Sequence, residues 1–204
     1  MNIRAVFFDF GGVIQRTEFQ APRQHLAERF GIDYDDIDTL VFGGGLHGTA
    51  AQATLGKVSA EEHWKAVARR LKIGEGEIAA VEAEFFAGDV IDWHIVQFLR
   101  DLRPRFITGL ISNAWSDMRG YLVRRGIADA FDHLVISAEV GMAKPGAEIY
   151  HLSLEQAGVK PNEAVFVDDI PANIETCEQV GMTGILFKNP ADAMGQLKRV
   201  LELG

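Results

Sequence analysis

Five short apolar runs with helical patterns between them constrain this chain more than any other feature of its sequence. They are Ala5–Phe8, Phe106–Ile111, Leu134–Ile136, Ala164–Val167 and Gly184–Phe187. Runs this short, with no polar alternation, suit strands buried on both faces. Between the later runs, Ser116–Arg125, Ala147–Ala157 and Ala172–Val180 carry apolar residues at helical spacing. Strand alternating with helix implies right-handed crossovers, and so an α/β fold with a parallel sheet and helices on both faces.

One interval breaks the rhythm. About seventy residues separate the first run from a helical pattern near Asp92–Arg100, too many for an ordinary connection. They show helical patterns and no convincing strand. Ala21–Phe30 has an apolar stripe of Leu26, Ala27 and Phe30. Ser59-Ala60-Glu61-Glu62 has the form of a capping box opening a helix over Ala60–Leu71. Glu77–Phe86 is a third amphipathic stretch, and Gly43-Gly44-Gly45-Leu46-His47-Gly48 reads as a loop or helix break. The expected organisation is a core of residues 1–14 and 89–204, with a small all-helical cap over residues 15–88 inserted after the first strand.

Composition narrows the function. Nearly half the residues are apolar, as in a globular protein, and the net charge is −9. That acidic balance argues against a nucleic-acid or anionic-membrane binder, while leaving room for a local anion pocket. Cys177 is the single cysteine, so no internal disulfide can form. The N-terminus lacks a cleavable signal pattern and no apolar stretch is long enough to span a membrane. A cytoplasmic protein is expected, a monomer or weak dimer, whose partner is a small molecule.

The chemistry gathers at the strand ends. The first run ends in Asp9-Phe10-Gly11-Gly12-Val13, and the second in Ser112-Asn113. The third is followed by Lys144-Pro145, and the fourth ends in Asp168-Asp169. In a parallel sheet these carboxyl ends face one crevice. Each residue taken singly has an ordinary reading: Asp9 as a turn residue, Ser112-Asn113 as a helix start, Lys144-Pro145 as a solvated loop, Asp168-Asp169 as a cap before Pro171. Taken together, they suit phosphoryl transfer to water. Three crowded carboxylates need a cation, and oxygen ligands suit Mg²⁺. A lysine neutralises further charge, and a serine with backbone N–H groups can hold phosphate oxygens. Asp9 can then act as a nucleophile that forms an aspartyl-phosphate.

The ordered set Asp9-x-Gly-Gly-Val, Ser112-Asn113, Lys144-Pro145 and Asp168-Asp169 resembles the haloacid dehalogenase superfamily of hydrolases, over essentially the whole chain. The resemblance implies a Rossmann-like core and a helical cap that closes over the site. It implies Asp9 as nucleophile and metal ligand, the Gly11 carbonyl as a second ligand, Asp169 as direct ligand, and Asp168 as its support or a ligand through water. Ser112 would hold the phosphoryl group, helped by the Asn113 amide, and Lys144 would stabilise charge.

Gly11 departs from the usual pattern. Phosphatases resembling this chain mostly carry Asp there, which protonates the leaving oxygen and then activates water. Its loss removes help worth roughly 10²–10⁴ in rate. Some sugar-1-phosphate phosphatases of the family are similar in having glycine. A substrate with a good leaving group, such as an anomeric or acyl phosphate, is therefore expected. Hydrolytic dehalogenation is the competing reading. It needs no second acid, and Tyr150, six residues after Lys144, fits it, although phosphatases of this branch share that spacing; the adjacent Asp168-Asp169 argues against it. A catalytically weak binding protein of the same fold is a third. Arg16, His47 and Trp115 are candidate substrate contacts, each with an alternative as surface, loop or packing residue. The six histidines have no zinc-ligand spacing.

Overall fold

The computed structural model describes residues 2–43, 45 and 48–203. Five strands make one parallel sheet: β1 (Ala5–Phe8), β4 (Ile107–Ser112), β5 (His133–Ile136), β6 (Ala164–Asp168) and β7 (Thr183–Leu186), in the order β5-β4-β1-β6-β7. The chain leaves β1 for β4 and β5 on one side, then returns to fill β6 and β7 on the other. The order therefore reverses at β1, and the crevice at its carboxyl end is where such sheets bind ligands.

Side chains alternate across β1 with period two. Val6 and Phe8 join one core with Leu99 of α6 (Trp93–Leu102), Leu122 of α7 (Met118–Arg124) and Leu197 of α11 (Pro190–Val200). Ala5 and Phe7 join the opposite core with Ile149 and Leu154 of α9 (Ala147–Ala157) and Ile174 of α10 (Pro171–Val180). Cys177 is buried there, its thiol pushed up to about 12 by burial, so it packs as a small apolar residue. A short α8 (Ser137–Val140) follows β5.

The long interval folds as α1 (Ala21–Phe30), α2 (Tyr34–Phe42), α3 (Thr49–Thr54), α4 (Ala60–Leu71) and α5 (Ile78–Phe85). Leu26, Ile37, Trp64, Val67 and Phe85 form its own core. The capping box is present: Glu62 N–H donates to Ser59 Oγ at 3.1 Å and Ser59 N–H to Glu62 Oε2 at 2.7 Å. That satisfies two of the four N–H groups a helix start leaves orphaned.

The expectation of a strand-free interval is not met. β2 (Gln15–Thr17) and β3 (Asp89–Ile91) pair antiparallel where the chain enters and leaves the helical insert. Three residues are too few to show a period, and Gln, Arg and Thr carry no apolar signal. The ribbon is tied by side chains. Asp89 accepts from Gln15 Nε2 (3.2 Å), Thr17 Oγ1 (2.7 Å) and Arg23 Nη2 of α1 (2.9 Å). The Tyr121 hydroxyl of α7 donates to Gln15 Oε1, so one hydrogen-bonded chain links sheet domain, ribbon and insert. Among the described residues, no helix is long and apolar enough to cross a membrane.

Candidate active site

Asp9 extends β1 by one residue; its N–H donates to Val167 O of β6 at 2.9 Å. Lys144 Nζ lies 2.9 Å from Asp9 Oδ2 and 2.6 Å from Asp168 Oδ2, and all three residues are buried. Two buried carboxylates thus share one buried ammonium. Burial pushes the Asp9 carboxyl up to about 6, with Lys144 pulling it down and Asp168 adding to the rise. Asp169 is also held above its ordinary value, first by burial and then by Asp168.

The acids Asp9, Asp168 and Asp169 present oxygen atoms within 4.8 Å of one another. Three hard anionic donors at that separation fit a divalent cation that prefers oxygen. Within the trio the roles divide. Asp168 is completely enclosed and hydrogen-bonded: Asn173 Nδ2 lies 2.9 and 3.0 Å from its two oxygens, and Ile170 N–H donates at 2.8 Å. Asp169 is half-buried and accepts from its own backbone N–H, and among the described residues no side chain holds it as Asn173 holds Asp168, which leaves it the freer ligand.

The lysine is placed by residues far away in sequence. Asn113 donates to Lys144 O and accepts from Lys144 N–H, both at 2.8 Å. The Asn113 amide anticipated at the phosphoryl group is, in its side chain, engaged with this loop. Ser137 Oγ bonds Ala114 N–H at 3.0 Å and Ala114 O at 3.1 Å, fixing the same turn. Ser112, at the end of β4, is buried and borders the cavity.

The two glycines after Asp9 have different reasons to be there. Gly12 has φ +75, and a Cβ on it would meet Asp169 Oδ2 at 2.1 Å. Only glycine leaves room for that carboxylate. At Gly11 a Cβ would meet nothing within 4 Å. The missing acid is therefore a chemical absence and not a steric one.

A cavity of about 920 Å³ opens from Gly11, Gly12 and Ser112. Trp115 lines it and packs against Phe42 and Trp64 of the insert, with ring centroids 5.9 and 6.2 Å away. Arg16 also lines it, but its guanidinium bonds Val13 O (2.6 Å), Asp92 (3.0 Å) and Glu18 (3.2 Å). His47 lies outside the described residues. Tyr150 sits in the core, edge-on to Phe166, its hydroxyl donating to Asn173 O at 2.9 Å. It supports the loop carrying the acids and does not reach the cavity lining. Asn173 and the steric role of Gly12 were not evident from sequence. An asparagine inside the helical pattern Ala172–Val180, five residues after Asp168, was the available signal for the first; nothing local signalled the second.

The model of the haloacid dehalogenase-like hydrolases matches residues 3–181. A bifunctional epoxide hydrolase 2 from Sus scrofa is 26% identical over 216 residues, covering 98% of this chain and 39% of that protein. The chain thus spans about two fifths of that relative's length. A D-ribitol-5-phosphate phosphatase from Bacteroides thetaiotaomicron is 27% identical over 210 residues, covering 98% of each. Among solved structures, a HAD-family enzyme from Bacteroides thetaiotaomicron, in complex with magnesium and inorganic phosphate, superposes with TM-score 0.75 at 21% identity, covering 91% of this chain and 94% of that one.

Proposed function

The chain belongs to the haloacid dehalogenase-like hydrolases, and within that family we propose that it is a Mg²⁺-dependent phosphatase acting on a small phosphorylated metabolite. The observation that carries the reading is Lys144 shared between Asp9 and Asp168, beside an acid trio whose oxygens lie within 4.8 Å and next to a cavity lined by Gly11, Gly12 and Ser112. Asp9, Asp169 and the Gly11 carbonyl would hold the ion, with Asp168 in support. When bound, Mg²⁺ supplies charge neutralisation for the phosphoryl oxygens and the crowded carboxylates.

The residues then act in sequence. Ser112 and the N–H groups of its turn hold the phosphoryl oxygens. Lys144 keeps Asp9 ionised and offsets the charge of the incoming dianion. An Asp9 oxygen attacks phosphorus in line, forming the aspartyl-phosphate, and the ester oxygen departs with the bonding electrons. With Gly11 in place of an acid, that oxygen takes its proton from water or from a neighbouring substrate hydroxyl. Water then attacks the same phosphorus, releasing phosphate and restoring the Asp9 carboxylate. The helical insert serves as a cap, its ribbon of β2 and β3 acting as the joint and its closure limiting water. Esters that leave easily, such as anomeric or acyl phosphates, suit a site without the second acid.

Hydrolytic dehalogenation keeps one observation in its favour, the glycine at position 11. The acid trio weighs against it, because unneutralised carboxylates would repel a carboxylate substrate. A screen of phosphorylated metabolites with and without Mg²⁺, beside Asp9→Asn, tests the proposal. Mg²⁺-dependent phosphate release that the substitution abolishes supports it; halide release that survives EDTA favours the alternative.

A further inference from the structure

This inference rests on the phosphatase reading and concerns the far end of the same cavity. From Gly11, Gly12 and Ser112 the cavity continues along one face of α7. Asp117, Tyr121, Arg124 and Arg125 all line it, and they stand at i, i+4, i+7 and i+8. That spacing makes a single stripe on one helix face. A rise of 1.5 Å per residue puts the two arginines about 10 Å beyond Asp117.

Charge is sorted along the stripe. At the near end stands Asp117, with Glu82 of α5 across the groove. Glu82 is held above its ordinary value by burial and by the charge of Asp117. At the far end stand Arg124 and Arg125, both exposed. Four arginines line the cavity. Arg16 is bound by Asp92 and Glu18, and Arg23 by Asp38 and Asp89. No described carboxylate pairs with either Arg124 or Arg125; the Arg125 guanidinium lies 6.0 Å from the Tyr121 ring. In a chain of net charge −9, two guanidinium groups without a carboxylate partner among the described residues therefore meet on the cavity wall at the C-terminal end of α7.

We propose that Arg124 and Arg125 bind a second anionic group, so that the substrate is an elongated, hydroxylated phosphate ester with a phosphate or carboxylate at its opposite end. The guanidinium fork matches either anion in a bidentate fashion. The carboxylates of Asp117 and Glu82 repel an anion midway but accept hydrogen bonds from hydroxyls. The arginine pair also steers a dianion toward the cavity through a protein that otherwise repels it.

The test uses the full chain with Mg²⁺. Linear alditol bisphosphates of three to six carbons are compared with their monophosphates, and terminal carboxylates replace the second phosphate in a parallel arm. The expected ratio of kcat/KM, two anions to one, exceeds unity and grows with chain length. Arg124→Ala/Arg125→Ala lowers that ratio about tenfold, the scale of two partly exposed ion pairs. Raised salt lowers it in the wild type and not in the double variant. Arg→Lys at both positions keeps part of the preference, and an unchanged urea midpoint establishes folding. A wild-type ratio of one at every length, or a ratio indifferent to the double substitution, overturns the inference while leaving monophosphate turnover intact. Absence of phosphate release from every ester overturns the phosphatase reading itself, and this inference with it.

Discussion

Replacing Gly11 with Asp puts the missing proton donor into a space that already exists. A Cβ at this position meets no atom within 4 Å, so the branch point of a side chain there meets no clash. The backbone there is not in the left-handed region, so a side chain adds no strain. Position 11 lies on the cavity wall, two residues past the nucleophile. A general acid at this point is worth roughly 10²–10⁴ in rate, or about 3–5 kcal/mol of barrier. The whole gain should fall on esters whose leaving oxygen needs the proton. For Gly11→Asp, kcat on alkyl phosphates should rise by about 10² or more, while anomeric, acyl and aryl phosphates change little. The slope of log kcat against leaving-group pKa should flatten, and Gly11→Asn should leave it unchanged. The assay is steady-state phosphate release over a leaving-group series, with a urea midpoint for each variant. An unaltered slope in a folded Gly11→Asp enzyme would refute the reasoning, because proton delivery would then not be what glycine removed.

Other expectations follow from single contacts. Gly12→Ala drives a methyl to 2.1 Å from Asp169 Oδ2 at φ +75, so Mg²⁺-dependent turnover should be lost; a Mg²⁺ titration at full activity would contradict the steric argument. Lys144→Met leaves Asp9 and Asp168 buried without their cation, a loss of about 3–5 kcal/mol in unfolding free energy at neutral pH. That deficit should shrink as pH falls and the carboxyls take up protons; a pH-independent deficit would mean that packing, not charge, was removed. His63 is buried in the insert with Nε2 2.9 Å from Val41 O and Nδ1 2.9 Å from Thr49 Oγ1. Burial lowers its pKa from 6.5. The unfolded chain therefore binds this proton first, so stability present above pH 6.5 is lost below it. Urea melts at two pH values either side should show the wild-type advantage over His63→Gln shrinking at the acidic one; a constant difference would refute the assignment.

Much of this was legible in the sequence, for reasons that residues make concrete. Ala5–Phe8, Ala21–Phe30, Ala60–Leu71 and Ala147–Ala157 fall at the ends their patterns indicate. Uniform burial and clear caps make such boundaries sharp. α3 reads Thr-Ala-Ala-Gln-Ala-Thr, with no apolar stripe, and α2 has Ile37, Leu40 and Val41 at helical spacing but opens on Tyr-Asp-Asp and runs into Gly43, which masks it as loop. α11 lies outside the pattern of strands and helices, although Asn189 before Pro190 announces it, with Asn189 Oδ1 accepting from Asp192 N–H. At the site, residue type and position at a strand end brought Asp9, Lys144, Asp168 and Asp169 together. What the sequence hid was the division of labour. That Asn113 grips the Lys144 backbone, or that Asn173 occupies Asp168, depends on loop conformations no local pattern encodes. The cavity stripe on α7 was hidden too, since Asp117, Tyr121, Arg124 and Arg125 look like ordinary surface residues until the insert stands opposite them.

The account turns on Asp9 as a nucleophile toward phosphorus. The direct measurement is mass spectrometry of acid-quenched enzyme after mixing with a reactive phosphate ester and Mg²⁺. The account predicts one phosphoryl group on the peptide bearing Asp9, formed no later than the first phosphate is released and absent in Asp9→Asn. Phosphate release that continues in Asp9→Asn, with no adduct on that peptide in the wild type, would contradict it.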